Sequence, residues 1–87
     1  MMASIQEKIN RATQISKNTA EGATFAEQYS GNLNSLASEM MATVQGSQTG
    51  ERAVAVVQEA ASELSEIASA LNTASVEIDA YAKRIGS

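Results

Sequence analysis

Apolar or small residues recur along almost the whole sequence at alternating steps of three and four, a periodicity that restricts the chain to long amphipathic helices. In the second half, Val54, Val57, Ala61, Leu64, Ala68, Leu71, Ser75, Ile78, Ala82 and Ile85 follow this spacing. In the first half, Ile5, Ile9, Ala12, Ser16, Thr19, Ala23, Ala26, Ser30, Leu33, Ala37, Met40 and Val44 do the same. Each set falls along one seam of a helix. Proline is absent, Ala, Ser, Glu and Gln abound and β-branched runs are scarce, so propensity also favours helix over strand. The middle of the first seam is small and hydroxylic, which allows close helix approach but buries little apolar surface.

One stretch reads clearly as a break. Gln45-Gly46-Ser47-Gln48-Thr49-Gly50 holds two glycines and capping hydroxyls near the midpoint of the chain. The expected fold is therefore all-α, an antiparallel two-helix hairpin in a single domain spanning 1–87. Its helices are placed at about 4–44 and 51–85, its turn at 45–50, with Gly46 and Gly50 as turn glycines. Ser4-Ile5-Gln6-Glu7 has the order of a capping box for the first helix. Thr49 is the expected N-cap of the second, with Glu51 against its dipole. Lys83, Arg84 and Gly86 supply its stop chemistry. Gly22 and Gly31 each cost about 1 kcal/mol inside a helix. Ser30-Gly31-Asn32 leaves two alternatives open, a continuous first helix or a second turn that splits it.

A further row flanks each seam at heptad spacing: Ile15, Gly22, Tyr29 and Leu36 on the first helix, and Ala53, Ala60, Ile67, Ala74 and Tyr81 on the second. The apolar face then takes up about three positions in seven, wider than a coiled-coil stripe and suited to a bundle. Two helices alone do not cover such faces, and a chain of 87 residues is short enough that oligomerisation is a common source of stability. Ile15, Tyr29, Leu36, Ile67 and Tyr81 are accordingly the candidate partner-binding residues. Glu59, Glu63, Glu66 and Glu77 form a charged face opposite, read first as solvated surface. Met40 and Met41 read as gap-filling core or as an adaptable patch.

The composition removes most chemistry. There is no Cys or His, so the usual ligands of zinc, haem and iron–sulfur centres are missing, as are Ser-His and Cys-His nucleophiles. Glu59, Glu63 and Glu66 share a helical side but read as surface rather than as a cation site. Gly46 and Gly50 do not form a phosphate loop, because no strand precedes them and no Gly-Lys-Ser/Thr follows. Neither an enzyme nor a cofactor, metal or catalytic residue is expected. Ten acidic against six basic residues and only three aromatics, Phe25, Tyr29 and Tyr81, argue against a nucleic-acid surface. No signal-peptide pattern opens the sequence and no run approaches the roughly 20 apolar residues of a membrane span. A protein partner is the expectation that remains.

Taken together, a signal-free, proline-free chain folded at its midpoint by a Gly-containing turn resembles the small helical-hairpin proteins of bacterial type VII secretion, the WXG or ESAT-like superfamily. The resemblance covers essentially the whole chain and rests on layout. The turn motif Trp-Xaa-Gly matches Val44-Gln45-Gly46 or Gln48-Thr49-Gly50 at its glycine only. Thr43-Val44-Gln45-Gly46-Ser47 looks closer to the Trp-less targeting partners of LXG-domain toxins. The resemblance implies a non-enzymatic protein of a Gram-positive bacterium, cytoplasmic before export and secreted, if at all, by a signal-independent route. Its implied partner is an LXG-type toxin, another small hairpin protein or a second copy of itself. Family members carry an aromatic-xxx-acid element near the end of the second helix. Here Tyr81 is followed four residues on by Ile85, and the nearby acids, Glu77 and Asp79, precede it, so Asp79, Tyr81 and Ile85 are the export or docking element to be completed by a partner. The plainer reading packs Tyr81 against the start of the first helix, near Ile5 and Ile9. The alternative function is a generic intracellular helical adaptor or self-associating bundle subunit.

Overall fold

A computed structural model describes residues 4–86 and shows two α-helices, α1 (Ile5–Val44) and α2 (Gln48–Ile85), folded back on each other as an antiparallel hairpin 63 Å long. α1 starts where the capping chemistry placed it: the Ser4 hydroxyl accepts from the Glu7 amide at 3.1 Å. It then runs through Ser30-Gly31-Asn32 without interruption. The continuous alternative holds because Ser30 is committed to the seam, where it is buried and donates to the Ala61 carbonyl oxygen at 2.8 Å.

The turn is tighter than the sequence suggested. It is confined to Gln45–Ser47, with Gly46 at a φ of 93°, a conformation that side-chain-bearing residues rarely adopt. Ser47, not Thr49, caps α2, its hydroxyl accepting from the Gly50 amide at 3.1 Å. Glu51 reaches back to accept from the Gly46 amide at 2.9 Å, tying the turn to the first turn of α2. Gly50 is thus not a turn glycine; it lies inside α2. Its reason is close approach, since a Cβ built there would stand 2.4 Å from the Cβ of Val44. The bundle can close immediately after the turn only because position 50 has no side chain.

The predicted seams are the helix–helix interface. Every seam residue of α2 is buried or half-buried, as is every one of α1 except Ile5, which is 62% exposed. Ile5 is the correction at this end: α2 stops at Ile85, and the Gly86 backbone already lies against Ile9, so the register offers Ile5 no helical neighbour. The fully enclosed residues are small. Ala23, Ala61 and Ala68 are each 1% exposed, and among the described residues Val54 is the only larger side chain fully buried.

Three serines set the register. Ser16 donates to the Ser75 carbonyl at 3.0 Å and Ser75 donates to the Ser16 carbonyl at 2.9 Å, with the two hydroxyls 3.1 Å apart. Ser30 repeats the crossing at Ala61, two heptads on. Ala23 with Ala68, and Ala37 with Val54, occupy the same diagonal, and all four are buried. A serine side chain is one carbon long, so it reaches the opposite backbone only where the helices nearly touch. By contrast Thr19, Thr24, Ser38 and Thr43 turn back to carbonyls four residues earlier in α1.

Candidate functional site

The rows that flank the seams remain outside after the hairpin has formed. Ile15 is 51% exposed, Tyr29 53%, Leu36 44%, Ile67 48% and Tyr81 42%. These are the residues that the heptad pattern singled out for partner binding, and the fold brings them together. An antiparallel pair of helices is related by a two-fold axis normal to the plane containing them, which keeps equivalent flanking rows on the same side. The Ile15–Leu36 row of α1 and the Ala53–Tyr81 row of α2 therefore share one broad face. Among the described residues, the exposed large hydrophobic side chains all lie on this face or its edges except Ile5, Met41 and Val76.

The other side of the seam is different. It carries Gln6, Thr13, Glu27 and Asn34 from α1 and Glu51, Gln58, Ser65 and Asn72 from α2, all exposed. Only Ala20, Met41 and Asp79 break the exposed polar pattern there. A hairpin with one apolar and one polar face has a defined side on which to be covered.

The apolar face has relief along its length. The Ser16–Ser75 and Ser30–Ala61 crossings place Tyr29 beside the level of Ala60, Gly22 beside that of Ile67 and Ile15 beside that of Ala74, so a large residue on one helix stands next to a small one on the other. Gly22 has open space around it apart from Leu71 Cδ1, which an added Cβ would meet at 3.5 Å. Beside Tyr29 stands Phe25, its ring centroid 5.7 Å away and its plane inclined by 24°. Phe25 is exposed and borders the same face, as does Val56. Neither belongs to a heptad row of apolar residues, so the spacing rule passed over both. The signal for Phe25 was the aromatic pair at four-residue spacing, which a helix turns into neighbours.

The residues proposed for export or docking do not gather in one place. Tyr81 stands on the apolar face, Ile85 belongs to the seam and is half-buried, and Asp79 lies on the polar side, where its carboxylate pairs with Lys83 Nζ at 3.1 Å. A Cβ added at Gly86 would meet Ile9 Cδ1 at 3.2 Å, and Ile5 stays exposed. Of the two turn glycines, Gly46 is in the turn and Gly50 in α2.

Glu59, Glu63, Glu66 and Glu77 are all exposed, and among the described residues no group of three or more acidic side chains is placed to hold a metal ion. Among them too, no helix is long and apolar enough to cross a membrane. A surface depression on the outer side of α2, between Asn72, Thr73, Val76 and Glu77, is open. Every buried side-chain polar atom described has a hydrogen-bond partner, so no unsatisfied group marks a ligand site. No family model, no curated protein and no solved structure matches the chain.

Proposed function

We propose that this chain is a non-enzymatic interaction protein that docks a helical segment of another protein along the face carrying Ile15, Tyr29, Leu36, Ile67 and Tyr81. The observation that supports it is the exposure of these large side chains after the hairpin has closed. A helix laid along the face would cover them, and each Ile, Leu or Tyr so covered contributes about 1.5–3 kcal/mol. The polar opposite face would stay in water, so the partner has one side to approach. The resemblance to type VII hairpin proteins supplies the biological setting: the partner would be the helical region of an LXG-type toxin, with this chain as its targeting or chaperone-like companion, exported with it or left in the cytoplasm.

Co-purification tests both levels of this reading. The chain is expressed with the helical N-terminal region of an LXG toxin and the pair is followed by size exclusion and by secretion into the medium. Ile67→Glu is expected to abolish co-elution, whereas Glu63→Lys, on the edge, leaves it nearly unchanged. Loss of binding to the toxin with retained binding to another amphipathic helix would reject the type VII setting and keep the docking face. Equal effects of the two substitutions would reject the face itself. Tyr81→Ala reports on the export element: falling secretion at unchanged melting temperature supports a recognition role. A large drop in melting temperature with unchanged binding would assign Tyr81 to the hairpin's own stability.

A further inference from the structure

We infer, taking the apolar face as a docking surface, that its occupant is a single amphipathic helix with Lys or Arg clustered toward one end, and that this basic end lies over the turn half of the hairpin. Charge is divided unevenly along the long axis. Under the Ser16–Ser75 and Ser30–Ala61 register, residues 25–66 form the half nearer the turn, and they hold six of the ten carboxylates but one of the six basic residues, Arg52. The open half holds the other five basic residues and four carboxylates. One base against six acids gives −5 at the turn, and five against four gives +1 at the open end. The helix dipoles run in opposite directions, so they do not offset this difference.

The rim of the face repeats the division. Residues three apart are neighbours on a helix surface, so positions three before each flanking row make the floor between α1 and α2, and positions three after make its rim. The floor is apolar and half-buried, with Leu33, Leu64, Leu71 and Ile78. In the turn half the rim carries Glu39 on α1 and Glu63 on α2, both exposed, and among the described residues no Lys or Arg is within ion-pair distance of either. The register sets them about 11 residues apart along the axis, about 17 Å. One carboxylate on each wall calls for a cation on each flank of one helix lying between them. At the open end Lys8, in line with the flanking row, and Arg11, on the rim, are exposed and repel the same cations, outweighing Glu77 on the rim of α2. The apolar row from Ile15 to Leu36 runs about 32 Å, which about six turns of one helix cover. An anionic membrane or a nucleic acid is repelled by the turn half.

The experiment uses two synthetic amphipathic helices of about 24 residues, about 36 Å long, with the same leucine stripe and the same composition. One has its lysines clustered at one end and glutamates at the other; in the second both are spread evenly. Binding is read by fluorescence anisotropy, with ultracentrifugation to report the state of the chain. The clustered peptide is expected to bind about tenfold more tightly at low salt, and its advantage to vanish near 0.5 M NaCl, where the screening length is about 4 Å. Glu39→Lys combined with Glu63→Lys should remove the advantage, while Glu63→Lys alone changes Kd by only a few-fold, too little for co-elution to register. Glu27→Lys with Glu59→Lys makes the same change in net charge away from the face and should leave the advantage in place. The chain has no cysteine, so a spin label on a Gln48→Cys variant marks the turn and should broaden the resonances of the lysine end. Broadening of the glutamate end instead, or an equal loss from the two charge-reversal pairs, overturns the inference. Equal binding of the two peptides overturns it too but leaves the docking face standing. If neither peptide binds a monomeric chain, the docking face falls as well; if neither binds because the chain is a dimer, a second copy fills the face and the basic helix is rejected.

Discussion

The innermost line of the seam and the outer face of this hairpin invert the usual distribution of side-chain size. Inside, between the helices, are Ala23, Ala37, Ala61, Ala68 and the serines; outside, on one face, are Tyr29, Ile67, Ile15, Leu36 and Phe25. Small residues let the backbones come close enough for serine hydroxyls to bond opposite carbonyls, at a net gain of about 1 kcal/mol each. They release little hydrophobic energy, because burying an alanine removes far less apolar area than burying a leucine. The innermost line of the seam therefore specifies geometry, with Leu64, Leu71 and Ile78 half-buried beside it, whereas a second set of large side chains is left on the surface for another molecule to use. A hairpin built this way folds into a defined shape without using up its binding energy.

The most severe way to break this division is to make the seam large. Ala23→Leu inserts three heavy atoms where the residue is completely enclosed, and overpacking of this kind typically costs 1–3 kcal/mol. Because the helices touch there, the expected loss is about 3 kcal/mol, with Ser16 and Ser30 pulled away from their carbonyls on either side. Thermal unfolding should shift down by some 12–20 °C on the usual scale for a domain of this size. Ile67→Ala, measured at concentrations where the chain is monomeric, should change the melting temperature little. If the two substitutions destabilise equally, the face is part of the hairpin's own core and the contrast collapses.

Gly50→Ala comes next. Its Cβ would overlap that of Val44, and neither atom can rotate away, so α2 must shift relative to the end of α1. A loss of about 2 kcal/mol is expected in chemical denaturation. Gly50 also shows where sequence reading stopped. Two glycines close to a break look alike in a sequence, and the pattern assigns both to the turn. Only Gly46 is there for its backbone angle; the other is there because the helices meet at once. That distinction depends on the register, which heptad spacing does not fix.

The remainder of the fold divides in the same way. The seam was legible almost residue by residue, because burial along one side of a helix imposes a period that survives mixed residue types. Ile5 was lost at the end, where a period has no means of announcing that its opposite helix has finished. The face was legible as two rows, and their meeting on one side follows from antiparallel geometry. The hydroxyl crossings were not legible, since Ser16, Ser30 and Ser75 look in sequence like Thr19, a seam residue whose hydroxyl stays within α1. A double-mutant cycle makes the crossing measurable. Ser16→Ala and Ser75→Ala should each cost about 1 kcal/mol, since each removes a hydroxyl donor to a backbone carbonyl that the other substitution leaves in place, and any shortfall of the double variant from the sum reports the hydroxyl–hydroxyl contact at 3.1 Å. No cost at either site would mean that the crossings do not lock the register.

The smallest expected effect sharpens the comparison most, because it uses one substitution at two places on the same helix. An added Cβ at Gly31 meets nothing within 4 Å, and at Gly22 it meets only Leu71 Cδ1 at an ordinary 3.5 Å. Gly31→Ala and Gly22→Ala should therefore each stabilise the isolated hairpin by up to about 1 kcal/mol, by removing glycine's excess freedom in the unfolded chain. The two positions differ in what lies outside them. Gly31 faces solvent away from the apolar rows, so its substitution should leave association untouched. Gly22 lies in the flanking row of the proposed docking face, between Ile15 and Tyr29, so a methyl group there raises the floor under a docked helix and should weaken its binding even as it strengthens the hairpin. Opposite signs for stability and association at position 22, with a pure gain at position 31, would show that the surface relief is a binding feature. Should Gly22→Ala raise both together, position 22 takes no part in holding a partner.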